Sequence, residues 1–296
     1  MKLDQLKMFV TVAKLGSLSQ ASARLHKTQP AISQSIRQLE KGFNLPLFNR
    51  SGYRLELTEA GKTLYQKASN LLDEASNLQQ AADHIALGNE LSITIAIEAS
   101  FDLKGILPLL ENLQRQFPNT QIIIEQEYLS GALEALQNET ATLCITPSID
   151  LLETELKTEK HRLTGGFLVN VASPKLINRN DTLKNRQDLL KECQIIVKDS
   201  GSASKNLEWG VIEGQNRWYV NDYHTKKMLI ENGMGWGKLP SYLVEDSLRN
   251  GTLIMLSLND IQNKTPMDYF IMKDKSKPLG PVAQATWEQF ERYSFD

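Results

Sequence analysis

The sequence predicts a multidomain α+β protein: a helical head with a short hairpin, one long linker helix and an α/β body. Three observations predict it. Apolar residues recur at helical spacing in three short runs before residue 45; a single helical pattern runs from residue 59 to 87; and from residue 91 short apolar runs alternate with helical ones. At 296 residues the chain is long enough for two or three such units, and divisions at 1–58, 59–88 and 89–296 are expected.

Composition narrows the class. Hydrophobic residues make up 41% and charged residues 23%, ordinary values for a globular chain. No apolar run has transmembrane length, and Asp4 and Lys7 interrupt the apolar pattern at the N-terminus, unlike a signal peptide. A cytoplasmic protein with no membrane partner is expected. Cys144 and Cys193 are the only cysteines, too few for a disulfide framework or a four-cysteine zinc site. Nucleophile-elbow, phosphate-loop and zinc-protease motifs are missing, and His26, His84, His161 and His224 are scattered. The expectation is no enzyme, no metal and no cofactor.

The net charge of −2 conceals an asymmetry. Residues 1–58 carry nine basic side chains (Lys2, Lys7, Lys14, Arg24, Lys27, Arg37, Lys41, Arg50 and Arg54) against Asp4, Glu40 and Glu56. That segment is +6 and the remainder −8. A basic head on an acidic body suits a polyanion partner.

In the head, Leu3, Leu6, Phe9, Val10 and Ala13 mark a first helix that Gly16 stops. Ser17-Leu18-Ser19-Gln20 fits a capping box opening a second helix to about His26, with Ala21 and Leu25 inward. Pro30 suits the first turn of a third helix, where its missing N–H has no intrahelical partner. That helix has an apolar face of Ile32, Ile36 and Leu39 and a polar face of Gln29, Ser33, Gln34 and Arg37. The pattern is a helix-turn-helix, and those polar groups suit base edges: Gln pairs with adenine, Arg with guanine or phosphate. Ser51-Gly52 between two short extended runs reads as a hairpin wing flanked by Arg50 and Arg54. A scaffold for protein contacts is the alternative.

These residues resemble the N-terminal domain of LysR-type transcriptional regulators. The matching words are Leu6-x-x-Phe9, Gly16-Ser17-Leu18-Ser19-x-Ala21, Gln29-Pro30-Ala31-Ile32-Ser33-Gln34, Leu47-Phe48-x-Arg50 and Leu57-Thr58-Glu59-Ala60-Gly61. The resemblance implies a winged helix-turn-helix whose third helix enters the major groove of double-stranded DNA at an interrupted palindromic operator. Carried onto this chain, the DNA-binding set is Ser17, Ser19, Thr28, Gln29, Pro30, Ser33, Gln34, Arg37, Arg50 and Arg54.

Thr58 suits an N-cap, and Leu64, Ala68, Leu71, Ala75, Leu78, Ala82 and Ile85 follow at alternating spacings of four and three. That is a heptad seam, either packed on its own domain or joining two chains. In the family this linker forms the dimer, so the resemblance implies a homodimer or homotetramer, and contact with RNA polymerase.

In the body, Leu91–Ile97, Ile122–Ile124, Leu143–Ile145, Phe167–Val169, Ile195–Val197, Trp218–Val220 and Met267–Met272 read as strands. Helical runs at Leu107–Phe117, at 131–138 and around Trp287 and Phe290 alternate with them, which predicts a parallel sheet. Ile106-Leu107-Pro108, Phe117-Pro118 and Gly233-Met234-Gly235-Trp236-Gly237-Lys238-Leu239-Pro240 extend the resemblance. It implies a periplasmic-binding-protein-like two-lobed α/β effector domain: lobe I at 91–162 and 266–296, lobe II at 163–265, with crossings near 162–166 and 262–266. A small-molecule effector sits between such lobes, at strand ends and helix N-termini. The implied pocket is Ser100, Phe101, Ser130, Thr146, Pro147, Ser200, Gly201 and Ser202, although each serine equally suits an N-cap.

Two departures stand out. Thr142-Leu143-Cys144-Ile145 replaces the family's Asp-Leu-x-Ile, and Trp236 stands where a small aliphatic is usual; core packing is the favoured role for Trp236. Oxidant sensing through cysteine or methionine is the alternative reading of the body. Cys144, inside an apolar strand, is expected to be inert, and Met228, Met234 and Met255 are expected to pack in the interior.

Overall fold

The computed structural model describes residues 1–49, 55–148, 157–179, 183–202, 211 and 214–295. Two compact units emerge, Met1–Leu87 and Gly88–Asp296.

The first unit begins with α1 (Leu3–Leu15), α2 (Leu18–Leu25) and α3 (Gln29–Phe43). Leu6, Phe9 and Val12 of α1 meet Ala21 of α2 and Ile32, Ile36 and Leu39 of α3 in one buried core. The apolar spacing also included Leu3, which is exposed because it precedes the turn where the core begins. Gly16, at φ 63°, ends α1 in the left-handed region that glycine adopts without steric penalty. The Ser17 hydroxyl accepts from the Gln20 amide at 3.3 Å, while Gln20 points to solvent, so only half of the expected capping box forms. Thr28 caps α3, accepting from the Ala31 amide at 3.4 Å.

A two-stranded antiparallel hairpin follows, β1 (Phe48–Asn49) and β2 (Glu56–Leu57). The Glu40 carboxylate fixes its base by accepting from the Leu47 and Phe48 amides at 2.9 and 3.4 Å. The hairpin tip, with Arg50 and Arg54, lies outside the described residues.

Helix α4 (Glu59–Ala86) is capped by Thr58, whose hydroxyl accepts from the Gly61 amide at 2.9 Å. At ~1.5 Å per residue it is about 42 Å long. It starts tight against the hairpin: a Cβ on Gly61 would lie 2.1 Å from the Leu47 carbonyl oxygen. The heptad seam divides. Leu64 and Ala68 pack, with Tyr65 and Leu72, on the head's own core. Further along, Leu71, Leu78 and Ile85 are 43%, 72% and 56% exposed, Ala82 is exposed and Ala75 half-buried.

The second unit opens with β3 (Ser92–Glu98), α5 (Leu107–Gln116), β4 (Gln121–Glu127), α6 (Gly131–Gln137) and β5 (Leu143–Pro147). β3 lies between β4 and β5, parallel to both. The long β6 (Thr158–Ala172) then leaves this lobe, followed by the short helix α7 (Pro174–Asn178), β7 (Gln194–Val197) and β8 (Arg217–Val220). Helix α8 (Tyr223–Glu231), β9 (Trp236–Pro240), α9 (Ser241–Arg249) and β10 (Ile254–Met255) complete the second lobe. β11 (Lys264–Asp274) returns to the first, and α10 (Pro281–Arg292) covers its core.

The expected all-parallel sheet is not what forms. Strand order is β4-β3-β5-β11-β6-β9-β7-β8, and β11 runs antiparallel to both β5 and β6, as β9 does to β6. The strands carrying the chain between lobes travel in opposite directions and pair with each other, which imposes the antiparallel centre. Where they cross, Gly165 and Gly166 face Asp268 and Met267, and the register slips between Tyr269 and Phe270. β9 was not anticipated, because its glycine-rich start argues against a strand. The glycines serve close approach: a Cβ on Gly235 would stand 2.3 Å from the Cys193 carbonyl oxygen. Trp236 is buried with Ala172, Leu176, Leu189 and Leu256, within a core cluster and away from the cleft. Among the described residues no helix is long and apolar enough to cross a membrane.

Candidate nucleic-acid interface and ligand cavity

On α3, the burial of Ile32, Ile36 and Leu39 turns Gln29, Pro30, Gln34 and Arg37 to solvent and leaves Ser33 half-buried. Ser33 and Arg37 border a cleft of about 200 Å³ with Leu18, Ile36, Phe48 and Leu55, so the polar face of α3 adjoins the hairpin. Ser17 and Thr28 are engaged as caps and Ser19 is exposed; Lys27 pairs with Asp4 at 2.7 Å, quenching an acid that would oppose a polyanion. This surface can offer amide, hydroxyl and guanidinium groups to an external partner without breaking internal bonds.

In the body the eight expected pocket residues separate into three groups. Ser100 and Pro147 line a cavity. Phe101 and Thr146 do not: the Phe101 ring lies edge-on to Tyr269 at 5.4 Å within the first lobe's core, and Thr146 is buried in β5 opposite Phe270. Ser130, Ser200, Gly201 and Ser202 form a clasp between lobes. Asp199 accepts from the Ser130 amide at 2.9 Å, the Ser130 hydroxyl at 2.6 Å and the Gly201 amide at 2.9 Å. The Ser200 hydroxyl donates to Glu127 and accepts from the Tyr128 amide, while Ser202 donates to Glu134. A carboxylate of the second lobe thus occupies the N-terminus of α6, where the helix field favours an anion. The close fit needs glycine: a Cβ on Gly131 would meet the Ser200 oxygen at 2.1 Å and one on Gly201 the Ser130 oxygen at 2.5 Å.

The cavity beside the clasp measures about 210 Å³. Leu129, Pro147, Leu168, Ile196, Val197 and Met267 form its apolar walls; Glu98, Ser100, Tyr223, Lys226, Lys238 and Thr265 are its polar groups. Burial pushes Glu98 up to about 7, although its carboxylate accepts from the Ser100 hydroxyl, the Ser100 amide and the Leu129 amide. Burial, reinforced by the like charge of Lys238, brings Lys226 down to about 7, and burial lowers Lys238 as well. Lys238 donates to Thr265 at 3.2 Å. Sequence reading missed Glu98, Lys226, Lys238 and Thr265. One signal was present: Tyr223, Lys226 and Ile230 form the buried stripe of α8, so a lysine stands in an apolar helical period.

Cys144 is buried on β5 and Cys193 precedes β7 in the other lobe. Burial pushes the Cys193 thiol up, away from the reactive thiolate. The methionines depart from expectation. Met228 and Met234 are 49% exposed and Met255 is 37% exposed; Met228 falls off the inward stripe of α8.

Compared with known proteins, residues 3–62 match the family described as bacterial regulatory helix-turn-helix protein, lysR family, and residues 88–294 match the LysR substrate binding domain. The chain is 27% identical over 256 residues to the probable HTH-type transcriptional regulator YhaJ of Escherichia coli, covering 86% of this chain and 85% of that one. It is 26% identical over 287 residues to the HTH-type transcriptional regulator AceR of Acinetobacter baumannii, covering 95% and 93%. Among solved structures, full-length LysG of Corynebacterium glutamicum with bound effector Arg superposes with a TM-score of 0.50 at 19% identity, covering 98% and 97%. Full-length AphB, the Vibrio cholerae virulence activator, gives 0.50 at 17% identity, covering 98% and 99%. At these identities the superpositions speak to the fold.

Proposed function

The chain belongs to the LysR family of bacterial regulatory helix-turn-helix proteins, DNA-binding transcription regulators, and we propose that it reads its operator with the exposed face of α3 and answers to a small molecule held in the body. One observation carries the reading: Gln29, Gln34 and Arg37 stand exposed on a helix whose opposite face is locked into the head's core. Base edges in the major groove are recognised by such groups, and the +6 balance of residues 1–58 supplies the phosphate attraction. The seam positions of α4 beyond the head's core, exposed Leu71, Leu78, Ala82 and Ile85 with half-buried Ala75, support pairing of two chains, so that two heads meet an interrupted palindrome; two such pairs would make a tetramer. Ligand capture then alters DNA bending or promoter contact, including contact with RNA polymerase, in the cytoplasm where that DNA lies.

Selection from a random duplex library with the full chain tests this. The expected product is an inverted repeat with a spacer, and protection of both half-sites in a footprint. A library that returns no preferred sequence contradicts the reading.

A further inference from the structure

We propose that the cavity of the second unit binds a small organic monocarboxylate, its anionic group held by the ammonium groups of Lys226 and Lys238 and its apolar body lying on Leu168, Ile196 and Met267. This rests on the reading of the body as a ligand-binding unit and names the chemistry that the unit would select.

Lys226 carries the argument. A lysine normally lets its ammonium reach water along a flexible arm. Here the residue is 5% exposed, it borders the cavity, and among the described residues no carboxylate forms an ion pair with it. Its nitrogen lies 5.9 Å from the centroid of the Tyr223 ring. The seat for its arm is close-fitting: a Cβ on Gly237 would stand 2.9 Å from the Lys226 Cε. Lys238 enters from β9, its ammonium donating to Thr265 on β11. Two lysines therefore share one largely apolar chamber.

The charge within the chamber does not balance. Among the described residues Glu98 is the only acid lining it, and three donors from Ser100 and Leu129 already occupy its carboxylate. The polar groups that share the cavity with Lys226 are Lys238 from β9, Glu98 from the end of β3, Ser100, Thr265 from β11 and Tyr223 from its own helix. A buried cation without a counter-ion sheds its proton, which agrees with Lys226 being brought down to about 7. A ligand carboxylate supplies the missing charge and lets Lys226 hold its proton. Glu98 in turn disfavours a second anionic group on the ligand. At about 210 Å³ the chamber is smaller than the ~300 Å³ at which drug-sized sites begin, so the occupant is compact. Its body is apolar because six of the lining side chains are.

Calorimetric titration of the full chain with hexanoate and benzoate, against hexanamide and benzamide as uncharged counterparts, tests the assignment. At about pH 8, in two buffers of different ionisation enthalpy, an acid should bind about tenfold or more tightly than its amide and should take up a proton on binding. Lys226→Met should erase the preference for the acid. Lys226→Arg should retain it without the proton uptake, because an arginine stays charged. Lys238→Met, further from the buried end, should reduce the preference without erasing it. Amides that bind as well as acids, acids that fail to bind at millimolar concentration, or a preference that survives Lys226→Met in a folded variant would each overturn the proposal. Operator preference measured on the same protein separates the two readings: it persists if only the ligand assignment fails, and its absence strikes the regulator reading instead.

Discussion

In the head, Gln29, Gln34 and Arg37 stand exposed along α3; in the body, Ser130, Ser200 and Ser202 are bonded to Asp199, Glu127 and Glu134 across the lobes. The same kinds of polar side chain meet two different physical demands. A surface that recognises an external polymer leaves its donors and acceptors to water, where an unmade protein bond costs little. Groups withdrawn from water must find partners or change their charge. Ser130, the one buried serine of the clasp, found Asp199. Burial moves both Lys226 and Glu98, one chamber away, to about 7. On the proposed reading, recognition in the head rests on exposure, and in the body on a buried charge that a ligand completes.

The largest effect expected on this contrast is Gly61→Ala. The added Cβ would collide with the Leu47 carbonyl oxygen at 2.1 Å, and backbone cannot yield as a side-chain tip does. A loss of about 3 kcal/mol from the first unit is expected. DNA binding should fail while the second unit is untouched. All four tryptophans lie in the second unit, so their fluorescence reports it separately. A tryptophan melting curve that moves together with DNA binding would show that the units are not independent.

Next in size is the pH dependence of the second unit. Glu98 is raised in the folded state, so its contribution is present below about pH 4.5 and is lost as pH climbs through about 7. Lys226 is lowered, so its penalty is full below about pH 7 and fades towards 10.5. Together they predict a stability minimum near neutrality, with flanks a few kcal/mol deep. Tryptophan-detected melting across that range checks it. Glu98→Gln should flatten the acid side and Lys226→Met the alkaline side. A stability maximum at neutral pH in the unsubstituted chain would contradict the assignment of two buried, unbalanced charges.

The smallest effect belongs to the clasp's rim. Ser202→Ala removes the hydroxyl bonds to Glu134, which are exposed, and should cost about 1 kcal/mol or less. Urea melts followed by tryptophan fluorescence would register it. A loss of several kcal/mol would mean that the clasp, rather than the two cores, holds the lobes together.

The two regions also differed in how far they could be read from sequence. The head is written in short-range signals. Gly16, Ser17, Thr28 and Thr58 act on residues within four positions, and α3 sorts its faces by period alone. Even so, one pattern carried two uses. Leu64 and Ala68 share the heptad spacing of Leu78 and Ile85, yet the first pair meets the head's own core and the second is exposed. Spacing states that a face is apolar and leaves open what covers it. In the body, strands and helices showed in their periods, but their directions did not, because antiparallel pairing of β6 with β11 joins segments about a hundred residues apart. The cavity was least legible. Glu98, Lys226, Lys238 and Thr265 converge from four separate elements, and nothing near Ser200 in sequence reveals that Glu127 will engage it.

The central claim is that the exposed face of α3 chooses the DNA sequence while the head's charge supplies affinity. Fluorescence-anisotropy titration of the full chain tests it most directly, on the selected operator and on an unrelated duplex, for the unsubstituted chain and for Gln29→Ala with Ser33→Ala. The expected result is salt-dependent binding to both duplexes, with an operator preference that the double substitution reduces by about 1–3 kcal/mol per lost base contact while binding to the unrelated duplex is unaltered. An operator preference that survives the double substitution intact would contradict the account.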